Sequence, residues 1–504
     1  MFALHLMILY LTLIKLGKLY MKPSLKFLDE NLINKIISEA IHMLCTLGIT
    51  IENKKILSLL ADHDAKINYN TFHAVFTEKI VKDSITKCPE SFSLFDQNSN
   101  ESIVFNNNNA HFTPGSSALY YLDINGEKRK PVTKDYIQYV KINESLNNIA
   151  SQSTAFIPSD VHEMISDSYR LFLSLLFGRK PVVTGTFHPE SFKIMKDMQI
   201  VIRGNEKVLA EKPLTVFTCC PHSPLKWTND SCLDIMNCAS SNIPVEIVSA
   251  PIAGLVSPVT LTETLIQHTA ENVSGIVIGQ LINPGTPMLY GNATSVYDAR
   301  YGTMSMGAIE SMMLACASNE IGKALGLPTQ AYIAVSDSLY NDAQNGLETG
   351  MGAVLGVLSG INNISGPGML ESLQSFSLAK LILDNDICGM AFRSAKGIIP
   401  KNDFQSNSVF RELIDKKQLL QSNHTRRYFR KEHYFPSQII NRLHSSQITE
   451  NNPAISERIQ NEKEKHLKSY QEIQLSEEKK DELITLMKNK AAFYGQDTIP
   501  TLKI

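Results

Sequence analysis

The runs VVTGTF (182–187), PLTVFTCC (213–220), VEIVSAPI (245–252), PMLYGN (287–292), AYIAVS (331–336) and INNISG (361–366) decide the fold, with IASQSTAFI (149–157) ahead of them. Each is short, rich in β-branched and aromatic residues, and bounded by turn formers. Their starts lie roughly 30–45 residues apart, and helix-forming stretches with apolar periodicity fill the gaps. That alternation predicts parallel strands joined by crossover helices. Seven such units approach the eight of a (β/α)8 barrel. A doubly wound open sheet is the alternative. It usually carries a glycine fingerprint after its first strand, and none is present here.

Outward from this region the pattern changes. Upstream, Leu32, Ile33, Ile36, Ile37, Ala40 and Leu44 form an i, i+3, i+4 stripe, with Asp29 placed to cap the helix and Gly48 to stop it. A second helix is expected around 54–60. Residues 65–123 read as short alternating pieces and Asn-rich loops, so 21–145 is expected to be an N-terminal α/β module. The barrel is expected over 146–400. Beyond it, 401–504 reads as a helical appendage, solvated over 457–488, with the basic and aromatic run RRYFRKEHYFP (426–436). The first twenty residues, MFALHLMILYLTLIKLGKLY, are apolar but too short for a membrane span. They have neither a basic leader nor a small-residue cleavage site, and read as an extension or an early start before Met21.

Composition excludes several classes. The chain has 504 residues, 43% hydrophobic and 19% charged, with 48 basic and 50 acidic residues and a net charge of −2. A basic field for nucleic acid is absent, and the apolar content is too high for a disordered chain. Eight cysteines (45, 88, 219, 220, 232, 238, 316 and 388) form no CxxC pair. In a long chain they read as buried thiols, not as a disulfide framework. The thirteen histidines include no HExxH, and Cys219, Cys220 and His222 stand too close together for one tetrahedral metal. No metal site is expected. GMGAVLG (350–356) lacks nucleotide-loop spacing and reads as close helix packing.

In a (β/α)8 fold, chemistry belongs at the C-terminal ends of the strands. The loops there are CCPHSPLKW (219–227), YGNATSVYDARY (290–301), SDSLYNDAQNGLE (336–348) and GPGMLE (366–371). They bring acids (Asp298, Asp337, Asp342, Glu348 and Glu371) together with Tyr290, Tyr297, Tyr301, Tyr340 and Trp227. Rings and carboxylates suit a quaternary or protonated amine, because ring faces attract the cation and carboxylates balance its charge. Loop capping is the structural alternative for each residue.

Several long blocks carry a resemblance. CPHSPLKW (220–227), the run from Ile243 to Gly291, YGTMSMGAIESMM (301–313), SDSLYNDAQNGLETG (336–350) and the run from Gly366 to Met390 together resemble the trimethylamine methyltransferase family. HFTPGSSALYYLD (111–123), KPVVTGTF (180–187) and RRYFRKEHYFP fit it too, so the resemblance spans 21–490. It implies a (β/α)8 barrel and methyl transfer from a methylated amine to the cobalt of a separate corrinoid protein. The cobalamin belongs to that partner, so no cofactor is expected to bind this chain tightly. The resemblance also implies that members acting on trimethylamine carry pyrrolysine, placed in or near the block matching 336–350. This sequence has only standard residues there, including Asp342, Ala343 and Gln344. A quaternary donor of the glycine-betaine kind is therefore expected. It already carries positive nitrogen and leaves as a neutral amine, so no general acid is required.

These readings predict that Tyr290, Asp298, Tyr301, Asp337, Gln344 and Glu371 line the donor cavity. Arg300, Asn292 and Gln344 are the candidates for holding a substrate carboxylate. A cytoplasmic homo-oligomer, with no nucleic-acid or membrane partner, completes the expectation. Two other functions remain open: demethylation of a tertiary amine such as trimethylamine, and a catalytically silent subunit that binds methylamines or aids assembly.

Overall fold

The computed structural model of the protein describes residues 22–401, 403, 406–447 and 452–502; the apolar extension 1–20 lies outside them. The first helix spans Glu30–Thr46, and the Asp29 side chain accepts the Leu32 amide. Its buried stripe is Ile33, Ile36, Ala40 and Leu44. The chain turns at Gly48, which takes φ +77°, a conformation that favours glycine. Helices Lys54–Ala61 and Glu78–Lys87 and short strands at 49–51, 66–68 and 73–75 complete this first region.

From residue 111 onward, strands and helices alternate eight times. The strands are β1 (His111–Thr113), β2 (Gln152–Ser153), β3 (Val182–Thr184), β4 (Thr215–Cys219), β5 (Val245–Ser249), β6 (Met288–Asn292), β7 (Gln330–Tyr332) and β8 (Asn363–Ser365). The helices that follow them are α1 (Thr133–Ser145), α2 (Ser166–Phe177), α3 (Ser191–Arg203), α4 (Asn229–Ser240), α5 (Leu261–Ile282), α6 (Ile309–Ala324), α7 (Ala343–Ser359) and α8 (Leu378–Ala395). The fold class is α/β, as the recurring runs predict.

Strands β2 to β6 form one parallel sheet, and β7, β8 and β1 form another. A parallel bridge from Tyr290 to Thr329 links β6 to the start of β7. At the other side, the Ala150 amide donates to the Phe112 carbonyl at 2.8 Å, joining β2 to β1. The sequence reading put residues 111–123 in the N-terminal module. The structure pairs β1 with β8 in parallel, His111 opposite Asn363 and Thr113 opposite Ser365.

The inner floor is apolar. A hairpin of Phe92–Phe95 and Glu101–Phe105 sends Leu94, Ile103 and Phe105 against Val216 and Leu289 from the central strands. The GMGAVLG run lies in α7 and allows close approach there. A Cβ on Gly352 would stand 2.6 Å from the Ala334 backbone nitrogen, and one on Gly356 would stand 3.1 Å from Ile364.

The appendage is less solvated than expected. Helices Ile455–Ser469 and Glu477–Phe493 pack against α8 and α1 and against α3 and α2, burying Ile459, Leu483, Met487 and Ala491. Among long charged side chains a few well-spaced apolar residues suffice to dock a helix. Helices Ser406–Lys416 and Asn423–Glu432 bury no residue. Among the described residues, no helix is long and apolar enough to cross a membrane.

Candidate active site

The loops after β5 to β8 enclose a cavity of about 1360 Å³. Six of the eight predicted residues line it: Asp298, Arg300, Tyr301, Asp337, Gln344 and Glu371. Their surroundings give them different capacities. Asp298 and Arg300 pair at 2.6 Å on a hairpin tip, and Arg300 lies 5.4 Å from the centre of the Tyr301 ring. Mutual hydrogen bonding lowers the Asp298 carboxyl and raises the Arg300 guanidinium. Arg300 is thus committed to its own hairpin, and its side chain is 79% exposed.

Asp337 is engaged on all sides. It accepts from the amides of Met306 (3.1 Å) and Gly307 (2.9 Å), from Ser372 Oγ at 2.5 Å, and from Ser305 Oγ. It joins three loops at the cavity wall. Glu348 accepts from Ser336 Oγ (2.7 Å), the Asp337 amide (2.8 Å) and Gln344 Nε2 (2.9 Å). Glu371 meets Lys128 Nζ at 2.5 Å and Ser375 Oγ at 3.1 Å. It opens a corner in which Glu371, Ser372 and Leu373 all take positive φ (50°, 48° and 77°), a local strain.

Tyr290 and Asn292 are not in the cavity. Both lie on β6 with side chains turned outward to α5. Tyr290 donates to Thr269 Oγ1 at 2.9 Å and lies 3.2 Å from His268 Nδ1; Asn292 Nδ2 bonds Thr294 at 3.1 Å. Strand alternation explains the correction. The inward positions of β6 are 289 and 291, so the polar residues at 290 and 292 meet helix α5. Burial without an ionic partner drives the Tyr290 hydroxyl pKa upward and lowers His268 to about 4, so this layer is neutral packing.

Sequence reading missed the inner faces of the two sheets, which meet through polar groups. Glu246 on β5 is fully buried and accepts from Thr218 Oγ1 at 2.6 Å and from Asn363 Nδ2 on β8 at 3.3 Å. Asn363 Oδ1 accepts from Thr113 Oγ1 at 2.6 Å, and that hydroxyl meets Ser151 Oγ at 2.5 Å. Tyr332, two residues from Gln330 on β7, bonds Ser116 at 2.9 Å. Gln330 Nε2 and Ser365 Oγ are buried with no partner. Such orphans are rare in native interiors and call for an explanation.

Burial pushes the Glu246 carboxyl up to about 7, against the lowering effect of its Thr218 and Asn363 hydrogen bonds. Cys220 stands above it at the end of β4. It is solvent-exposed. A faint signal existed in the sequence: an acid inside the otherwise apolar run VEIVSAPI. Among the described residues, no group of three or more His, Cys, Asp or Glu side chains could hold a metal ion.

Residues 17–495 match the family described as trimethylamine methyltransferase (MTTB). The chain belongs to this family. It is a methyltransferase. It is 27% identical to a glycine betaine methyltransferase of Desulfitobacterium hafniense, over 82% of this chain and 87% of that one. It is 28% identical to a trimethylamine methyltransferase of Methanosarcina barkeri, over 74% of this chain and 78% of that one. In fold it resembles the crystal structure of the monomethylamine methyltransferase of Methanosarcina barkeri, with a TM-score of 0.53, 14% identity and 92% coverage of each chain.

The two regions differ in character. The acids of the upper cavity are already engaged: Asp337 and Glu348 by amide and hydroxyl donors, Asp298 by Arg300 and Glu371 by Lys128. The inner region has one acid that can change charge near neutrality and two uncommitted hydrogen-bonding groups. Glu246, Gln330 and Asn363 lie in the N-terminal halves of β5, β7 and β8, below the loops that line the cavity.

Proposed function

We propose that this methyltransferase moves a methyl group from a quaternary or otherwise methylated amine to the reduced cobalt of a separate corrinoid protein. The donor enters through the upper cavity, and its nitrogen seats near Glu246, Gln330 and Tyr332. The observation that carries the proposal is that Gln330 Nε2 and Ser365 Oγ are orphaned on the paired strands β7 and β8, the second of which carries Asn363, a partner of the buried, protonatable Glu246. In a (β/α)8 barrel the interior is normally filled by branched apolar side chains. A polar interior gives up that packing, and a polar guest would supply the missing partners.

We read the two parallel sheets as a single eight-stranded ring, a (β/α)8 barrel with N-terminal α/β and C-terminal helical additions. The Tyr290–Thr329 bridge and the Ala150–Phe112 bond support closure on both sides. The corrinoid supplies the nucleophilic metal. The chain's residues bind and orient one N–CH3 group and keep water away, which lowers the entropic part of the barrier. Asp298, Arg300, Tyr301, Asp337, Gln344 and Glu371 shape the approach. No cofactor is held tightly by this chain, which works in the cytoplasm as a homo-oligomer.

The absence of pyrrolysine favours a quaternary donor, as does the relative named for glycine betaine. The relatives named for trimethylamine favour a tertiary amine as the second reading. The test mixes the purified protein with a reduced corrinoid protein and a panel of quaternary, tertiary and secondary methylated amines, and follows the absorbance of methylated corrinoid. Methylation with a quaternary donor is expected. Methylation with tertiary donors alone would move the assignment to the second reading. Donor binding without methylation by any donor would overturn the enzymatic proposal in favour of a binding subunit.

A further inference from the structure

Helix α8 contains an ion pair sealed from solvent. Lys380 Nζ and Asp384 Oδ2 are 2.5 Å apart, and both side chains are 0% exposed. Dehydrating two charges often costs more than their attraction returns, so such a pair is weak evidence for stability. What it touches is more informative. Asp384 Oδ2 also accepts the Gly368 amide at 2.8 Å. Gly368 has φ +89°, and a Cβ there would stand 2.5 Å from the Phe376 ring. Lys380 Nζ also donates to Thr349 Oγ1 on α7 at 2.8 Å.

The connection continues from both ends. Thr349 Oγ1 donates to Asn345 Oδ1 (3.1 Å), Asn345 Nδ2 to Asn341 Oδ1 (3.4 Å), and Asn341 Nδ2 to Ser377 Oγ (3.0 Å). Ser377 caps α8 and returns its own amide to the Gly368 carbonyl at 2.9 Å. The circuit therefore closes on the base of loop 366–377. Three residues beyond Gly368 comes the left-handed corner whose Glu371 lines the cavity and whose Ser372 holds Asp337. The Glu371 amide donates to the Ser338 carbonyl and the Ser372 amide to the Ser336 carbonyl, at 3.2 and 3.3 Å. Loops 336–348 and 366–377 thus share one buried origin and one corner at the cavity wall.

We infer that Lys380 and Asp384 are positioning residues for methyl transfer: they fix the base of loop 366–377, and through it the Glu371–Ser372 wall of the donor cavity. The kinetic part rests on the methyltransferase reading above; the structural part does not. A buried polar network that holds a second layer in one geometry is how a site keeps its shape when its walls are loops.

The test uses the full-length double variant Lys380→Met/Asp384→Leu, which removes both charges while keeping similar volume, and the milder Thr349→Val, which cuts the link to α7. Two readouts are taken: amide hydrogen exchange of loop 366–377, and KM against kcat for the methyl donor. In the double variant, exchange in the loop should rise at least about tenfold with the rest of the fold unchanged, and KM should rise about tenfold with kcat within about twofold. Thr349→Val should move both in the same direction by about threefold. Unchanged loop exchange and unchanged KM in a folded double variant would overturn the inference. If the double variant does not fold, an unmoved Thr349→Val does the same. A wild-type protein that methylates no acceptor would defeat the methyltransferase reading, while the exchange readout would still decide the structural part.

Discussion

Replacing Glu246 by Gln should stabilise the protein at alkaline pH relative to acidic pH. The ionised carboxylate is disfavoured because it has no cation beside it and lies in the sealed interior between the sheets. Its pKa is raised from 4.5 to about 7. Below about 4.5 both folded and unfolded chains keep the proton. From there to about 7 the unfolded chain releases it while the folded chain retains it, so folding weakens as pH rises. Above about 7 both are ionised and the folded state carries the full penalty. At about 1.4 kcal/mol per pH unit, that penalty is about 3 kcal/mol. Gln has no charge to lose, so the variant is free of this slope. The change from the altered Asn363 contact is the same at every pH. The difference between variant and wild type should therefore be about 2.5 kcal/mol more favourable at pH 8 than at pH 5, where part of the penalty is already present. Chemical denaturation read at Trp227 measures it, since this is the sole tryptophan and is fully buried. A variant–wild-type difference that stays constant from pH 5 to pH 8 would refute the assignment of a strained carboxyl to Glu246. A cationic donor seated there should also bind more tightly above pH 7 than at pH 5.5, with proton release at the lower pH. A calorimetric titration in two buffers of different ionisation enthalpy would detect that release.

Other outcomes follow from the same structure. Asp337→Ala should cost about 3 kcal/mol of stability, since it leaves the Met306 and Gly307 amides without their acceptor; thermal unfolding would show the loss. Gly307→Ala should lower methyl transfer by displacing the cavity wall, because its Cβ would stand 2.7 Å from the Glu348 carboxyl carbon. Steady-state kinetics at saturating acceptor would reveal it, and wild-type rates would contradict that effect. Leu289→Ala in the apolar floor should cost about 3 kcal/mol while leaving donor KM unchanged. A raised KM there would mean that the floor and the polar interior are one site.

The strand pattern was legible because buried parallel strands between amphipathic helices leave a regular apolar signal. It missed β1, since HFT is three residues long and lies among Asn-rich loops. The upper cavity was legible from loop composition, because loops at strand ends carry unusual densities of acids and tyrosines. Its internal economy was not. Asp337 reads as a cation ligand in sequence, yet its four donors come from residues 30 to 35 positions away. Tyr290 and Asn292 failed for a different reason. They sit at the right end of β6, but a shift of one residue in a strand moves a side chain to the opposite face. Glu246 was hidden by its apolar neighbours, although it is on the inward face where Tyr290 is not.

The properties of Glu246 also suit the proposed reaction better than a permanently ionised acid would. As the methyl group leaves, the positive charge on the donor nitrogen disappears. A strong fixed anion beside it would stabilise the starting complex more than the transition state, and so raise the barrier. Glu246 must first be ionised against a burial penalty of about 3 kcal/mol, so the attraction to a cationic donor is largely offset before it lowers the ground state. When the neutral amine departs, burial favours return of the proton, and the interior regains its neutral form. Asp298 at the exposed hairpin behaves in the opposite sense, its carboxyl pKa lowered by Arg300. A carboxylate of that kind, placed against the nitrogen, would hold the donor in its charged state. In the proposed reaction, an acid that can lose its charge in the interior and a permanently ionised one at the solvent edge are placed where a donor that loses its charge would be served by each.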